Sequence, residues 1–317
     1  MISVNPTEWL WELKYRPKSI DECILPEGLK SDFKQMVAAG EIKNMLLCSS
    51  NPGTGKTTVA QAIADELDMD VLFINASSES GIDVFRTDIT KFASTVSMMG
   101  SGKVVILDEA DNLSDAAQKA FRGIIEEFSS NCRFILTCNY PNRIIEAIRS
   151  RMKIYEFIIP AAEKNQMIKG QVLRLLKILE TEKVQVDNKQ VVMELVKRKF
   201  PDNRSMLVDL QSYAMKGVID EGILGQVTSG SDVDILVGYL KIRAFKEIRA
   251  IIPKYASNYP TFIRALYDAM YSVVKPSHIP AMIEYIGENQ KYYSSVPDIE
   301  IHMEYLCVQL MMNMDFK

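Results

Sequence analysis

The sequence predicts an α/β domain built on a parallel sheet and continued by a helical second half. Short apolar runs at 45–48, 71–74, 103–107 and 133–137 alternate with stretches of helical periodicity. The first of these runs ends in a glycine-containing loop and the third in paired carboxylates, as strands do at a ligand-binding sheet edge. Beyond Pro160 the strand-like runs stop and apolar residues recur at helical spacing.

Met45-Leu46-Leu47-Cys48 reads as a buried strand because it is short, wholly apolar and followed by Ser-Ser-Asn-Pro-Gly. Ala60, Ile63, Ala64 and Leu67 then mark one face of a helix. Val71-Leu72-Phe73-Ile74, Lys103-Val104-Val105-Ile106-Leu107 and Arg133-Phe134-Ile135-Leu136-Thr137 are the next strands, rich in branched and aromatic residues. Helical periodicity covers 167–179 and 191–196, a Gly-Ser-rich segment at 228–231 reads as a linker, and 232–317 is again helical, punctuated by prolines 253, 260, 276, 280 and 297. Domains are therefore expected at 1–160, 161–229 and 230–317.

A chain of 317 residues with 47% apolar and 25% charged residues has ample material for packed cores. Its 37 basic and 41 acidic residues give a net charge of −4, which argues against a surface coated for nucleic acid. Any such contact must use a local patch. Cys23, Cys48, Cys132, Cys138 and Cys307 form no C-x-x-C pair, so neither a zinc site nor a disulfide framework is expected, and a reducing cytoplasm is. The N-terminus has no apolar signal core and no stretch approaches membrane-spanning length. The histidines, His278 and His302, lie far from the motifs below, which leaves a carboxylate as general base.

Asn51-Pro52-Gly53-Thr54-Gly55-Lys56-Thr57-Thr58 has the strand before it and the helix after it that a phosphate loop requires, although Ser50 stands where the first glycine is usual. Glycines let backbone N–H groups turn toward phosphate oxygens. Lys56 is expected on the β- and γ-phosphates of ATP, and the Thr57 hydroxyl on Mg²⁺. The strand ending in Asp108-Glu109 supplies the other half. Asp108 is expected to hold Mg²⁺ through its water shell, and Glu109 to polarise the attacking water. Asn139 closes the next strand and is expected beside the γ-phosphate.

In this combination and order the residues resemble the AAA+ clamp-loader ATPases. Lys14-Tyr15-Arg16-Pro17 resembles the family's adenine-side box, Pro52 to Thr58 its phosphate loop, and Leu107-Asp108-Glu109-Ala110-Asp111 with Ala117-Gln118 its Walker B box. Thr137-Cys138-Asn139-Tyr140 resembles sensor 1, Ser150-Arg151 the arginine-finger box, and Phe200-Pro201-Asp202-Asn203-Arg204 the start of the sensor 2 helix. Within the family, Glu22-Cys23-Ile24-Leu25-Pro26 and the pattern from Glu300 to Phe316 look most like large subunits of T-even-type bacteriophages. The resemblance implies a RecA-like AAA+ core with a helical lid and a helical collar. It implies ATP and Mg²⁺ as cofactors, with Glu12, Leu13, Lys14, Tyr15, Arg16, Pro17 and Ile24 on the nucleotide. Arg204 would reach the phosphates and Arg151 would complete a neighbour's site. Partners would be other loader subunits in a ring, a ring-shaped sliding clamp and primer–template DNA, with no membrane. Gly81, Ile82, Arg86 and Ser114 would face DNA phosphates from two helix starts. Another AAA+ motor, of helicase-loader or branch-migration type, and a non-hydrolysing scaffold subunit are the alternatives. Met152 stands where the family has a cysteine, and Ser80 where a basic residue often stands.

Other features read as structural. Lys197-Arg198-Lys199 and the basic residues Lys241, Arg243, Lys246 and Arg249 read as solvated helix faces. Met311, Met312 and Met314 read as packing.

Overall fold

All four apolar runs fold as parallel strands, and a fifth joins them. In the computed structural model, β1 (Met45–Cys48), β2 (Asp70–Asn75), β3 (Lys103–Asp108), β4 (Cys132–Cys138) and β5 (Lys153–Glu156) form one sheet in the order β2-β3-β4-β1-β5, every pair parallel. Residues 2–77, 82–97, 102–215, 217–226, 230–256, 259–293 and 295–317 are described. They fall in two compact units, Met1–Leu224 and Gly225–Lys317. The first unit thus holds both the sheet domain and the helical segment that follows it.

Successive side chains on a strand face opposite ways, and a parallel sheet needs cover on both faces. Met45, Leu47, Val104, Ile106 and Ile135 pack with Phe33 of α2 (Glu27–Ala39) and with Val59, Ala60 and Ile63 of α3 (Lys56–Glu66). Leu46, Cys48, Val105, Leu107, Phe134 and Leu136 pack with Ile89 and Ala93 of α4 (Ile82–Ser94) and with Phe121, Ile124 and Ile125 of α5 (Asp115–Glu127). β5, absent from the sequence expectation, is an edge strand reached from α6 (Glu146–Arg149). Of its four residues only Tyr155 is buried, so it carries almost no apolar signature.

The helical segment comprises α7 (Ala161–Thr181), α8 (Lys189–Lys199) and α9 (Asn203–Ala214), with a two-strand parallel ribbon of β6 (Gln185–Val186) and β7 (Val218–Ile219). Leu175, Ile178, Val192, Leu195, Val196, Met206 and Leu210 are fully buried. Lys199 pairs with Asp209, and Arg198 with Glu194 and the Leu224 carbonyl. Two of the three basic residues read as a solvated face are therefore tied down, Lys199 to α9 and Arg198 to its own helix and to Leu224.

The second unit begins within a short helix, α10 (Gly222–Gln226), and contains α11 (Gly230–Lys241), α12 (Phe245–Ile251), α13 (Tyr259–Val273), α14 (Ile279–Tyr292) and α15 (Ile299–Asn313). Leu236, Leu240, Ile248, Leu266, Met270, Met303, Leu306 and Leu310 form its core. Met314 belongs to that core and Met311 packs on it, but Met312 is exposed, since it sits on the opposite side of the helix. The Gly-Ser segment at 228–231 lies partly outside the described residues, as do Ser80 and Gly81.

Candidate functional site

Strand order explains the site. β4 lies between β3 and β1, so the C-terminal ends of all three meet, and each carries a chemical residue into the loop beyond. α3 begins directly after the phosphate loop. Its N-cap, Gly55, has φ 92° and no side chain to satisfy the first-turn N–H groups. Those amides open on a cleft of about 460 Å³ lined by Pro52 to Thr58, Asp108, Glu109 and Asn139. An uncapped helix N-terminus beside a buried lysine is an anion site.

Lys56 is held on three acceptors: Asn139 Oδ1 at 2.9 Å and the carbonyls of Ser49 and Asn51, each at 3.4 Å. Burial pulls its pKa below the usual lysine value, while the nearby Asp108 and Asp111 carboxylates oppose that shift. Asp108 Oδ1 accepts from Thr57 at 2.6 Å and from Thr137 at 2.7 Å. Thr137 also accepts from the Glu109 amide at 3.1 Å, and Glu109 adopts a left-handed backbone at φ 54°. This turns the Glu109 side chain out of the strand line, where Asn112 donates to it at 3.3 Å.

Motif residues for which the sequence predicted no positioning role hold this set. Asp111, buried, accepts from the amides of Asn139 and Tyr140 at 3.1 and 3.0 Å and so fixes the turn after β4. Gly53 donates nothing from a side chain, yet only glycine fits: a Cβ there would lie 1.9 Å from Asp202 Oδ1. Asp202 caps α9 through Ser205 N at 3.1 Å, and the Asn203 amide donates to the Gly53 carbonyl at 3.1 Å. The phosphate loop and the first turn of α9 are thereby joined. Thr54 Oγ1 and Asn203 Oδ1 are buried in this junction without a partner. An Asp placed to cap a helix was the one available signal, and it does not reveal what the cap touches.

The N-terminal segment closes the far wall. Glu12, Tyr15, Arg16, Pro17 and Ile24 line the cleft with Arg204 and Gln171. Arg16 donates to Gln61 at 2.6 Å, and burial, then the nearby Arg204 charge, lowers its pKa. Arg204 is largely exposed and meets Glu12 at 3.4 Å. Leu13 and Lys14 do not reach the cleft. Helix α1 (Trp11–Lys14) turns Lys14 instead to Glu182 of the helical segment, at 2.6 Å. Tyr15 donates to the same carboxylate, and burial first, then that bond, raises the pKa of its hydroxyl. Gln211 of α9 clasps the same segment, accepting from Trp11 N and donating to Trp9 O, each at 2.9 Å. Asn51 lines a separate cavity behind the phosphate loop.

Arg151 does not line the cleft. It sits on the turn between α6 and β5, donating to Glu126 at 2.8 Å and to the Ala147 carbonyl at 2.7 Å, and it is exposed. Gln118, 1% exposed, ties α5 to this region, donating to the carbonyls of Leu113 and Arg143 and accepting from Ile145 N. Of the residues expected at DNA, Arg86 is exposed on α4, and Ser114 caps α5 by accepting from Ala117 N at 3.3 Å. Gly81 and the side chain of Ile82 lie outside the described residues. Among the described residues no group of three His, Cys, Asp or Glu side chains could hold a metal ion, and no helix is long and apolar enough to cross a membrane.

Residues 46–159 match the model of the ATPase family associated with various cellular activities. Residues 163–225 match the AAA+ ATPase lid domain of the sliding-clamp-loader large subunit, and 258–315 its C-terminal domain. The chain is 41% identical to the sliding-clamp-loader large subunit of Enterobacteria phage T4 and 40% to that of Escherichia phage RB69, over all of both chains in each case. It is 32% identical to the replication factor C small subunit of Sulfurisphaera tokodaii, across 96% of this chain and 95% of that one. The RuvB Holliday junction branch migration motor of Thermotoga maritima superposes with a TM-score of 0.53 at 19% identity, covering 74% of this chain and 84% of that one. That likeness is one of fold.

Proposed function

The chain belongs to the family of sliding-clamp-loader large subunits, and on that premise we propose how its AAA+ ATPase serves clamp loading in DNA replication. It acts as one of several copies in a hetero-oligomeric ring that opens a ring-shaped clamp and places it on primer–template DNA. ATP lies in the cleft, its base against the wall from Tyr15 to Ile24 and its phosphates over the first turn of α3. Lys56 and Arg204 bind the phosphates, and Asn139 keeps Lys56 aimed. Thr57 and Asp108 offer a hydroxyl and a carboxylate, the oxygen donors a small hard cation prefers. Mg²⁺ held there with ATP supplies charge neutralisation at the phosphate oxygens. Glu109 draws the proton from the attacking water. DNA phosphates meet the exposed start of α5 and Arg86. The phage-like relatives support the host cytoplasm as the place of action.

One observation carries the assembly mechanism: the cleft gathers every expected catalytic group except Arg151, which stays on an exposed turn. Its pair with Glu126 is partly solvated, worth ~0–1 kcal/mol, and so is readily exchanged for a phosphate. Arg151 therefore acts on ATP held by a neighbouring subunit, where a donated arginine contributes ~10³–10⁵ in rate. The test mixes two variants with the other loader components, clamp and primed DNA. Lys56→Ala has a dead site and a sound arginine; Arg151→Ala has the reverse. The mixture is expected to exceed the summed ATPase of the separate assemblies, once a labelled pull-down has established subunit exchange. Exchange without any gain rules out action in trans. Branch-migration activity has only the RuvB fold likeness behind it, and a non-hydrolysing scaffold role does not suit the assembled hydrolytic set.

A further inference from the structure

Two cysteines sit where the phosphate chemistry is held and take no part in it. β1 ends in Cys48 and β4 in Cys138, and strand register pairs these two residues. Both side chains join the core beneath α4 and α5, and Cys138 Sγ donates to Cys48 Sγ across 3.4 Å. No other cysteine pair among the described residues makes a sulfur–sulfur contact. Each residue also edges a cavity. Cys138 borders the nucleotide cleft, and Cys48 borders the space of about 510 Å³ behind the phosphate loop. Cys48 and Cys138 themselves are 2% and 1% exposed. Each cysteine directly precedes an acceptor of Lys56: Ser49 O follows Cys48, and Asn139 Oδ1 follows Cys138.

We propose that Cys48 and Cys138 form a modification site at which a small hydroperoxide makes a reversible disulfide, and that this bond switches ATP turnover off. The second half rests on reading Lys56 and Asn139 as phosphate-side residues. Cys48 is the attacking sulfur. The hydrogen bond from Cys138 lowers its pKa against burial and the Glu156 charge, and Lys56 assists; the same bond, then burial, keeps Cys138 protonated. The Cys48 thiolate attacks one peroxide oxygen and the O–O bond breaks. Cys48 becomes a sulfenic acid, and the departing hydroxide takes up a proton as water. The Cys138 sulfur then attacks the sulfenic sulfur, and its own proton leaves with the expelled hydroxide as a second water. Two thiols and one hydrogen peroxide give one disulfide and two waters, with two electrons passing from sulfur to oxygen. A dithiol reverses the bond by exchange.

Bonding draws the sulfurs together from 3.4 Å and with them the strand ends that carry Ser49 and Asn139. The Lys56 cradle then no longer fits the phosphates, and a misplacement of about 1 Å costs about 10²-fold in rate.

The experiment treats the whole protein with hydrogen peroxide without nucleotide, blocks remaining thiols with N-ethylmaleimide, and maps the peptides by mass spectrometry. A joined pair containing Cys48 and Cys138, lighter by two hydrogens, is expected. ATPase should fall about 10²-fold in step with it and return on adding dithiothreitol. Cys48→Ala should keep its ATPase and ignore peroxide, and a variant lacking Cys23, Cys132 and Cys307 should still switch. Absence of the joined pair overturns the site, as does oxidation only to sulfinic acid. A joined pair with unchanged turnover, or loss that persists in Cys48→Ala, overturns the switch. If Cys48→Ala does not fold, the wild-type map and time course decide. Because the map is read without nucleotide, wild-type ATP binding by Lys56→Ala would sink the phosphate-site reading and leave the disulfide standing.

Discussion

At the scale of single residues, the site separates those that bind from those that aim. Glu109 is aimed by a left-handed backbone that few non-glycine residues adopt, while Thr137 pins its amide and shares Asp108 with Thr57. Glu109→Gln keeps the shape and the aim and removes the proton acceptor. It is expected to bind ATP with unchanged affinity and to hydrolyse it roughly 10²–10⁴-fold more slowly. Single-turnover kinetics with separately measured binding check this, and turnover within about twofold of wild type rejects the role. Lys56, Asp108 and Asn139 were legible because each stands at a fixed offset from a strand end. Asp111, Thr137 and Asp202 stood in the motifs, but their individual roles were not legible. Their importance comes from what lies across the turn in space: two amides, a shared carboxylate oxygen and a glycine with no room for a Cβ. Lys14 shows the converse, a motif residue whose charge is taken up by Glu182 instead.

Among the elements, those with a continuous apolar face were legible and those that complete an edge were not. β3 and β4 are buried almost throughout. β5 buries one side chain in four residues, and β6 and β7 have two residues each, too few for any period to register. α7 starts at Ala161, ahead of its first buried residue, Met167, because its opening turns are polar. One polar side chain makes several ties from α5 to the segment before α6. Gln118 satisfies three backbone groups in a buried place, and these hold the segment that leads to Arg151. Gln118→Ala leaves all three without that partner, at ~1–3 kcal/mol for each that water does not reach. The expected result is a melting temperature for the Met1–Leu224 unit lower by roughly 10 °C. A fall of less than about 2 °C, read by calorimetry, means that the tie carries little.

For the molecule as a whole, the two units have separate cores, so unfolding is not expected to be all-or-none. Two calorimetric transitions are predicted. ATP at about a hundred times its dissociation constant stabilises only the unit that binds it, by ~2.7 kcal/mol, and so raises one transition and leaves the other in place. A single transition that moves as one contradicts this. The change from alternating to helical texture was readable in the sequence. That the lid-like helices share a unit with the sheet was not, because the N-terminal segment that ties them together is distant in sequence from both Glu182 and Gln211. That clasp has an optical consequence. The chain has two tryptophans, Trp9 and Trp11, and both have backbone groups bonded to Gln211 of α9. Trp11 is buried against Tyr15, which lines the cleft, and Trp9 is 70% exposed. All indole emission therefore arises beside α9, one fluorophore shielded and one in water. Adding ATP should change the quenching of Trp11 by acrylamide while a tryptophan elsewhere in the chain would stay silent, and this makes the unlabelled protein its own gauge of cleft closure.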